Sequence, residues 1–487
     1  MPGTPSARIV ALAALALAAL VVAAALPSPP LPAAPAPHAE VSTGVLQPAI
    51  KRDIYVFLDR FTDRTNTTTP PEILAKLDAV NAYFSEVTHG AWTFNWTLFY
   101  PALGQGWYTV NETYAQAGAS SDLTPLSAVI LQAYDSGVRF PAPGTYPLVP
   151  SALIIHAGDD GAMTGNATDI WSVTTGPYCS GFATNPPNAF CLLTAIVAET
   201  DPVGVIAHEL THELERFDEY GNPMGITLGH SAGALPAGMV PVDWWDPMYQ
   251  GLRDPNGTGT EPSEFMAWTR MSLGFLPLDQ IAVVDRGQSA TVSLEALEEN
   301  TTGDQAIRVP LVNASAYHTY YVVELRKGIG TDAYFPWLTS LYPSRIGMLV
   351  YWVNVSRYGT PFEIFLVKAH PADVTAQQAL FGPCSSPCVP AMTLNDTADG
   401  VTVSILSTSD SAFVVHVANA AVPPQVPAPC PGASCFLGLT DVGTWGLVLN
   451  VALIVAAAGG VAAVAFGRRR RARRAPGDEA ADPDARR

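Results

Sequence analysis

Val442–Phe466 is a run of 25 residues without a charge, followed at once by six arginines in the seven positions Arg468–Arg474. No other feature constrains the chain as much. A helix of that length crosses a bilayer. The positive-inside rule puts the arginine cluster in the cytoplasm and everything before the span outside. At the other end, Ile9–Leu26 is a second apolar run, preceded by Arg8. It reads as a secretory signal or as a retained signal anchor, because no cleavage site stands out in the Pro/Ala-rich stretch behind it. The bulk of the chain must therefore fold between two membrane-directed ends, on the outer side.

The chemistry in between suits that compartment. Nine of the fifteen asparagines lie in N-x-S/T sequons: Asn66, Asn95, Asn111, Asn166, Asn256, Asn300, Asn313, Asn354 and Asn395. Such sequons are glycosylation acceptors in exported chains. The six cysteines fall into three close pairs, Cys179 with Cys191, Cys384 with Cys388 and Cys430 with Cys435, the pattern of local disulfides in an oxidising exterior. From Glu40 to Asp441 there are 16 basic and 39 acidic residues, a net charge of −23, and the whole chain holds four lysines. A surface this acidic repels nucleic acid and anionic membranes, which excludes nucleic-acid partners.

Periodicity divides the 487 residues into seven parts. Residues 1–26 are the signal and 27–48 a Pro/Ala-rich linker. Residues 49–285 mix strand-like and helix-like patterns. Ile54–Leu58, Trp92–Tyr100 and Leu153–Ile155 read as strands, and Pro71–Val87 and Leu123–Tyr134 as helices. Residues 286–420 change to short alternating runs, such as Thr291–Leu294, Tyr320–Leu325, Met348–Val353, Val401–Leu406 and Phe413–Val417, the signature of a β-sandwich. A Pro-rich stalk (421–441), the span (442–466) and a basic tail (467–487) close the chain. The fold class expected is α+β.

Within the first large part lies VIAHELTHELERFDEYG, Val205–Gly221. On a helix, His208 and His212 lie about 40° apart, so both imidazoles leave one face. Ile206, Leu210 and Leu214 form the opposite, apolar face. Two neutral imidazoles one turn apart can share one zinc ion, with Glu209 beside it as general base. A surface helix carrying HELTH by chance is the plainer alternative. Intramembrane proteases also use this motif, but Asp201, Glu213, Glu215 and Arg216 flank it here, which excludes a membrane-buried helix.

Six stretches in order resemble the immune inhibitor A family of secreted zinc metallopeptidases: IYVFLDRF (Ile54–Phe61), VNAYFSEVTHGAWTF (Val80–Phe94), LIIHAGDD (Leu153–Asp160) with Asp169–Trp171, the zinc helix, WWDPM (Trp244–Met248) and FMAWTRMSLGFL (Phe265–Leu276). The β-region segments YYVVELRKGIGTDAYFP and GMLVYWV are also similar. The resemblance covers roughly residues 50–420. It implies a zincin-like metallopeptidase domain with an HExxHxxGxxD motif, followed by the β-sandwich. His208, His212 and Asp218 would then be the metal ligands, Glu209 the base, and Met248 the apolar floor of a Met-turn. Tyr249, next in sequence, is a candidate transition-state stabiliser. The chain departs from the pattern at Glu215, which stands where the family has glycine. Glycine there lets the chain turn and return the aspartate to the metal. If the helix runs on instead, Glu215 falls on the ligand face and rivals Asp218 as the third ligand.

Asp159, Asp160 and Asp169 are hard oxygen donors near a glycine-rich loop, a set that Ca2+ also takes, although a solvated loop explains them as well. His156 and His230 are either contacts to the site or ordinary core and loop histidines. The sequence thus leads to a membrane-anchored extracellular zinc endopeptidase acting on protein or peptide substrates. The alternative is a surface adhesion or envelope protein that keeps the fold without the catalysis.

Overall fold

The structure is a computed structural model and describes residues 50–101, 106–120, 123–140, 150–180, 190–214, 237–253, 257–311, 319–342, 344–354, 363–370, 379–385 and 390–420. It is a mixed α and β architecture built on three sheets. The signal, stalk, span and tail lie outside the described residues, as do Asn256, Asn313, Glu215, Asp218 and His230. No described helix is long and apolar enough to cross a membrane.

The first sheet contains β1 (Ile50–Arg60), β2 (Trp92–Phe99), β3 (Tyr108–Thr109), β4 (Ser151–His156), β5 (Val173–Ser180) and β6 (Phe190–Ala198), in the order β2-β1-β4-β6-β5, with β3 beside β1. All its pairings are parallel except β5 with β6. Strands buried on both faces read as continuous apolar runs, and Ala152–Ile155 in β4 is one. One face carries α1 (Pro70–Val87) and α5 (Val203–Leu214); the other is covered by the shorter α2 (Tyr114–Ala119) and α3 (Thr124–Asp135). Helix α1 starts where its sequence says it should. The Thr69 amide donates to Glu72 Oε2 at 2.7 Å, and Pro70 and Pro71 occupy the first turn. It buries Ile73, Leu77, Val80, Phe84 and Val87, spaced three and four apart.

The second sheet runs β7-β13-β12-β11-β10-β8, from β7 (Met239–Val240), β8 (Ile281–Val283), β10 (Ala306–Pro310), β11 (Thr319–Lys327), β12 (Ile346–Asn354) and β13 (Glu363–Val367). The third runs β14-β15-β16-β9, from β9 (Gln288–Glu295), β14 (Thr393–Asp396), β15 (Val401–Thr408) and β16 (Ala412–Asn419). These two sheets face each other across one core, with Tyr321, Val323 and Leu325 on one side and Val403, Phe413 and Val415 on the other. The opposite face of β11 and β12, with Tyr320, Val322, Leu349 and Tyr351, enters the same core as α1 and α5. The second sheet is thus buried on both faces and joins the sandwich to the helical layer.

Of the remaining helices, α4 (Gly161–Thr164) is a single turn after β4, α6 (Ala267–Leu273) packs beside β11, and α7 (Pro336–Leu341) precedes β12. The Cys179–Cys191 disulfide forms between paired residues of β5 and β6. Cys384 is also disulfide-bonded, with its expected partner Cys388 outside the described residues, where Cys430 and Cys435 also lie. Of the described sequon asparagines, Asn95, Asn111, Asn166, Asn300 and Asn395 are exposed, and Asn66 and Asn354 half-buried.

Candidate metal centre

Helix α5 presents its motif as the spacing predicts. Ile206, Leu210 and Leu214 enter the core, while His208 and His212 stay half-buried on the other side. The helix can sit this deep because its first turn carries Gly204. A Cβ at that position would lie 1.8 Å from the Leu252 carbonyl oxygen, so any side chain would push the neighbouring turn away.

The two imidazoles meet at their Nε2 atoms, 3.1 Å apart, with ring planes at 82°. His208 Nδ1 lies 2.8 Å from the Pro247 carbonyl oxygen. A carbonyl only accepts, so Nδ1 carries the proton and Nε2 of His208 presents its lone pair towards His212. This is the arrangement in which a carbonyl orients a metal-binding imidazole from behind. A tetrahedral zinc with Zn–N bonds of about 2.0–2.1 Å holds two nitrogen ligands roughly 3.3 Å apart. The observed separation fits that edge closely. Among the described residues no third His, Cys, Asp or Glu joins the pair, and both candidates for that role, Asp218 and Glu215, lie outside them.

Glu209 is almost fully buried, with its side chain 8% exposed. Its Oε2 accepts from the Thr174 hydroxyl at 2.8 Å, and the same hydroxyl lies 2.7 Å from the Glu209 carbonyl oxygen. Oε1 is 4.0 Å from His208 Nε2. One carboxylate oxygen is thus tied to the edge strand β5 and the other lies on the histidine side. Burial raises the pKa of Glu209, opposed by the charge of His212 and the Thr174 bonds. Glu213, one turn further, is also buried. Burial lifts its carboxyl to about 8 against the pull of nearby Arg52. Asp201, ahead of the helix, is likewise buried and raised to about 7. Both flanking acids sit inside the protein rather than on a wet helix face.

The WWDPM stretch forms the turn that supports His208. Met248 is buried in the core shared with Ile206, Ala207 and Leu210. Asp246 holds the turn's shape: Oδ1 accepts from the Met248 amide at 2.8 Å, and Oδ2 from the Met266 amide at 2.8 Å and the Thr269 hydroxyl at 2.7 Å. Burial raises this carboxyl to about 7. The Tyr249 amide donates to the Asp246 carbonyl at 3.0 Å, and Tyr249 is half-buried. From β11, Arg326 donates to the Trp245 carbonyl at 3.0 Å and the Glu264 carbonyl at 3.1 Å. Its guanidinium is also paired with Asp332 at 2.6 Å, Glu298 at 3.1 Å and Glu324 at 3.2 Å, all buried. A chain of bonds therefore runs from the second sheet through Trp245–Pro247 to the ring of His208.

The other candidates fall elsewhere. His156 is fully buried against Phe61 and Tyr114, with Nδ1 3.2 Å from the Ala157 carbonyl, and burial pushes its pKa down to about 4. It lies on the α2–α3 side of the first sheet. Asp159 pairs with Arg64 at 2.6 Å. Asp160 Oδ1 accepts from the Ala162 and Ser172 amides, both at 3.0 Å, and Asp169 Oδ2 from the Thr164 hydroxyl at 2.7 Å. Asp160 and Asp169 hold their own loop together, and Asp159 ties it to the segment that follows β1.

Sequence reasoning missed three contributors. Thr174 sits in a strand interrupted by Gly176-Pro177, where the register with β6 shifts between Thr175 and Tyr178. A proline in a short polar stretch marks an edge strand, which is the signal that was there to use. The Pro247 carbonyl and the Arg326 cluster are the other two. Glu324 and Arg326 stand two apart, on one face of an otherwise apolar strand, and charges so placed must find partners inside. No protein-family model matches the chain and no curated protein matches it significantly, so the reading of this centre rests on its own residues and geometry.

Proposed function

We propose that the chain is a zincin-like, membrane-anchored extracellular zinc metalloendopeptidase of the immune inhibitor A type. The observation that carries this reading is the convergence of His208 and His212 at their Nε2 atoms, with the tautomer of His208 set by Pro247 and with Glu209 alongside. His208 and His212 would hold zinc, with Asp218 as the third ligand and Glu215 as its rival. When bound, zinc supplies Lewis-acid polarisation of a carbonyl and a lowered pKa for water. The protein's own part follows from the carboxylate. With Oε2 held by Thr174, Glu209 uses Oε1 to take a proton from the attacking water and deliver it to the leaving amine. Met248, buried in the core shared with Ile206, Ala207 and Leu210, would be the apolar floor of a Met-turn, and Tyr249, next in sequence, is the candidate group for developing negative charge.

The edge position of β5 supports a peptide as substrate. An extended chain can add its backbone hydrogen bonds to the outermost strand of a sheet, which among the described residues is β5, and β5 reaches Glu209 through Thr174. The apolar run 442–466 anchors the enzyme, with the basic tail 467–487 in the cytoplasm.

The substitution at Glu215 favours a second reading, a surface protein that keeps the fold without catalysis. Metal content and casein hydrolysis of the purified 40–440 segment, produced with its disulfides, separate the two. Glu209→Gln should abolish hydrolysis and keep the zinc. His208→Ala and His212→Ala should lose both. Asp218→Ala should weaken metal binding where Glu215→Ala does not; the reverse result makes Glu215 the ligand. Wild-type protein without zinc or hydrolysis leaves the surface-protein reading standing.

A further inference from the structure

Trp171 is 63% exposed, unusual for the largest apolar side chain, yet it is not loosely held. It lies two residues before β5. The backbone on either side is fixed by the Asp160–Ile170 bridge and by the Ser172 amide, which donates to Asp160 Oδ1 at 3.0 Å. The indole lies against Gly161 at the start of α4, where a Cβ would come within 2.4 Å of Trp171 Cδ1, so the glycine makes room for the ring. Arg253, which follows the Met248 turn, donates to the Ala162 carbonyl at 3.0 Å and ties this helix to the floor of the centre.

We propose that Trp171 forms an apolar subsite that selects the substrate, receiving an apolar or aromatic side chain of an extended peptide aligned along β5. This rests on the peptidase reading of the site. The position follows from the strand. Trp171 stands three residues before Thr174, which bonds Glu209, so the two Cα atoms lie at most ~11 Å apart. The side chain received at Trp171 therefore belongs to a residue two to four positions from the cleaved bond. The occupant is a peptide because the platform runs into β5, the outermost strand of its sheet among the described residues; a strand in that position binds an extended chain through backbone groups and leaves side-chain choice to neighbouring pockets.

The test uses the full-length protein purified in detergent. Peptides differing only by Phe, Leu or Ser at each position within four of the cleaved bond are compared by kcat/KM. At one position the wild type should favour the apolar residue over serine by roughly ten-fold or more, the discrimination expected for burying one large side chain. Trp171→Ala should bring that ratio to within about two-fold of unity, and Trp171→Phe should restore most of it. An unchanged ratio in Trp171→Ala overturns the subsite while leaving the peptidase reading intact. Binding of the same peptides to Glu209→Gln protein, with and without Trp171→Ala, is measured in parallel by fluorescence anisotropy. If the wild-type protein cleaves none of the peptides while a Trp171-dependent apolar preference in binding remains, the subsite stands and the peptidase reading falls. No apolar preference in either assay removes the subsite.

Discussion

Thr174→Val tests the geometry around Glu209 without touching a proposed metal ligand. Valine keeps the β-branched shape in strand β5 and removes only the hydroxyl, which lies 2.8 Å from Glu209 Oε2 and 2.7 Å from the Glu209 carbonyl. A hydrogen bond to a charged group contributes about 1.5–3 kcal/mol. Since about 1.4 kcal/mol is a factor of ten in rate, kcat should fall roughly 10- to 150-fold if that bond sets which carboxylate oxygen faces the histidines. Bound zinc, read by atomic absorption, should not change, because Thr174 is no ligand. Thr174→Ser, which returns the hydroxyl, should recover most of the rate. The assay is hydrolysis of a quenched fluorescent peptide at saturating substrate, so that binding losses along β5 do not enter. A Thr174→Val enzyme within two-fold of wild type would refute the reasoning: the carboxylate would then be oriented by something other than this bond.

Two further outcomes follow from the buried charges. Arg326→Met leaves Glu298, Glu324 and Asp332 without their cation in a closed interior and should cost about 3–5 kcal/mol in urea unfolding at unchanged m-value; a loss under 1 kcal/mol would show that the cluster reprotonates or rearranges at little cost. The second outcome concerns pH. Asp201, Asp246 and Glu264 are buried and lifted to about 7, from ordinary values of 3.8, 3.8 and 4.5. In that window the folded state holds protons that the unfolded state has released, so stability should fall as pH rises from about 4.5 through 7, at up to roughly 1.4 kcal/mol per pH unit for each group. Urea midpoints at pH 5.5 and 8.0 decide it, and a midpoint that climbs with pH contradicts the assignment.

How much was legible beforehand varies with range along the chain. The 100° periodicity of Val205–Leu214 placed two imidazoles on one face and three aliphatic side chains on the other, because a helix fixes such relations over one or two turns. The strands Ile54–Leu58 and Leu153–Ile155, and the helix ending at Val87, were legible for the same reason. Helix α1 in addition announces its start with Thr-Pro-Pro-Glu. Paired cysteines twelve apart could be matched by closeness alone, and Cys179 and Cys191 are indeed joined.

What tertiary structure decided is everything that joins distant segments. Thr174 reaches Glu209 across 35 residues, Pro247 reaches His208 across 39, and Arg326 reaches Trp245 across 81. A periodic pattern reports which face of an element is apolar, but not which element will cover it. β11 looked like half of a sandwich strand, and only its packing shows the other face buried against the helical layer, with Glu324 and Arg326 inside. The same limit applies to Glu213 and Asp201, which in sequence were only charges flanking the motif and are enclosed in the fold. Sequence by itself determined which residues are candidate metal ligands and the helix that aligns His208 with His212. The protonation of His208, the orientation of Glu209 and the support of the turn beneath them depend on hydrogen bonds between segments, whose partners are set only when the sheets and helices close on one core.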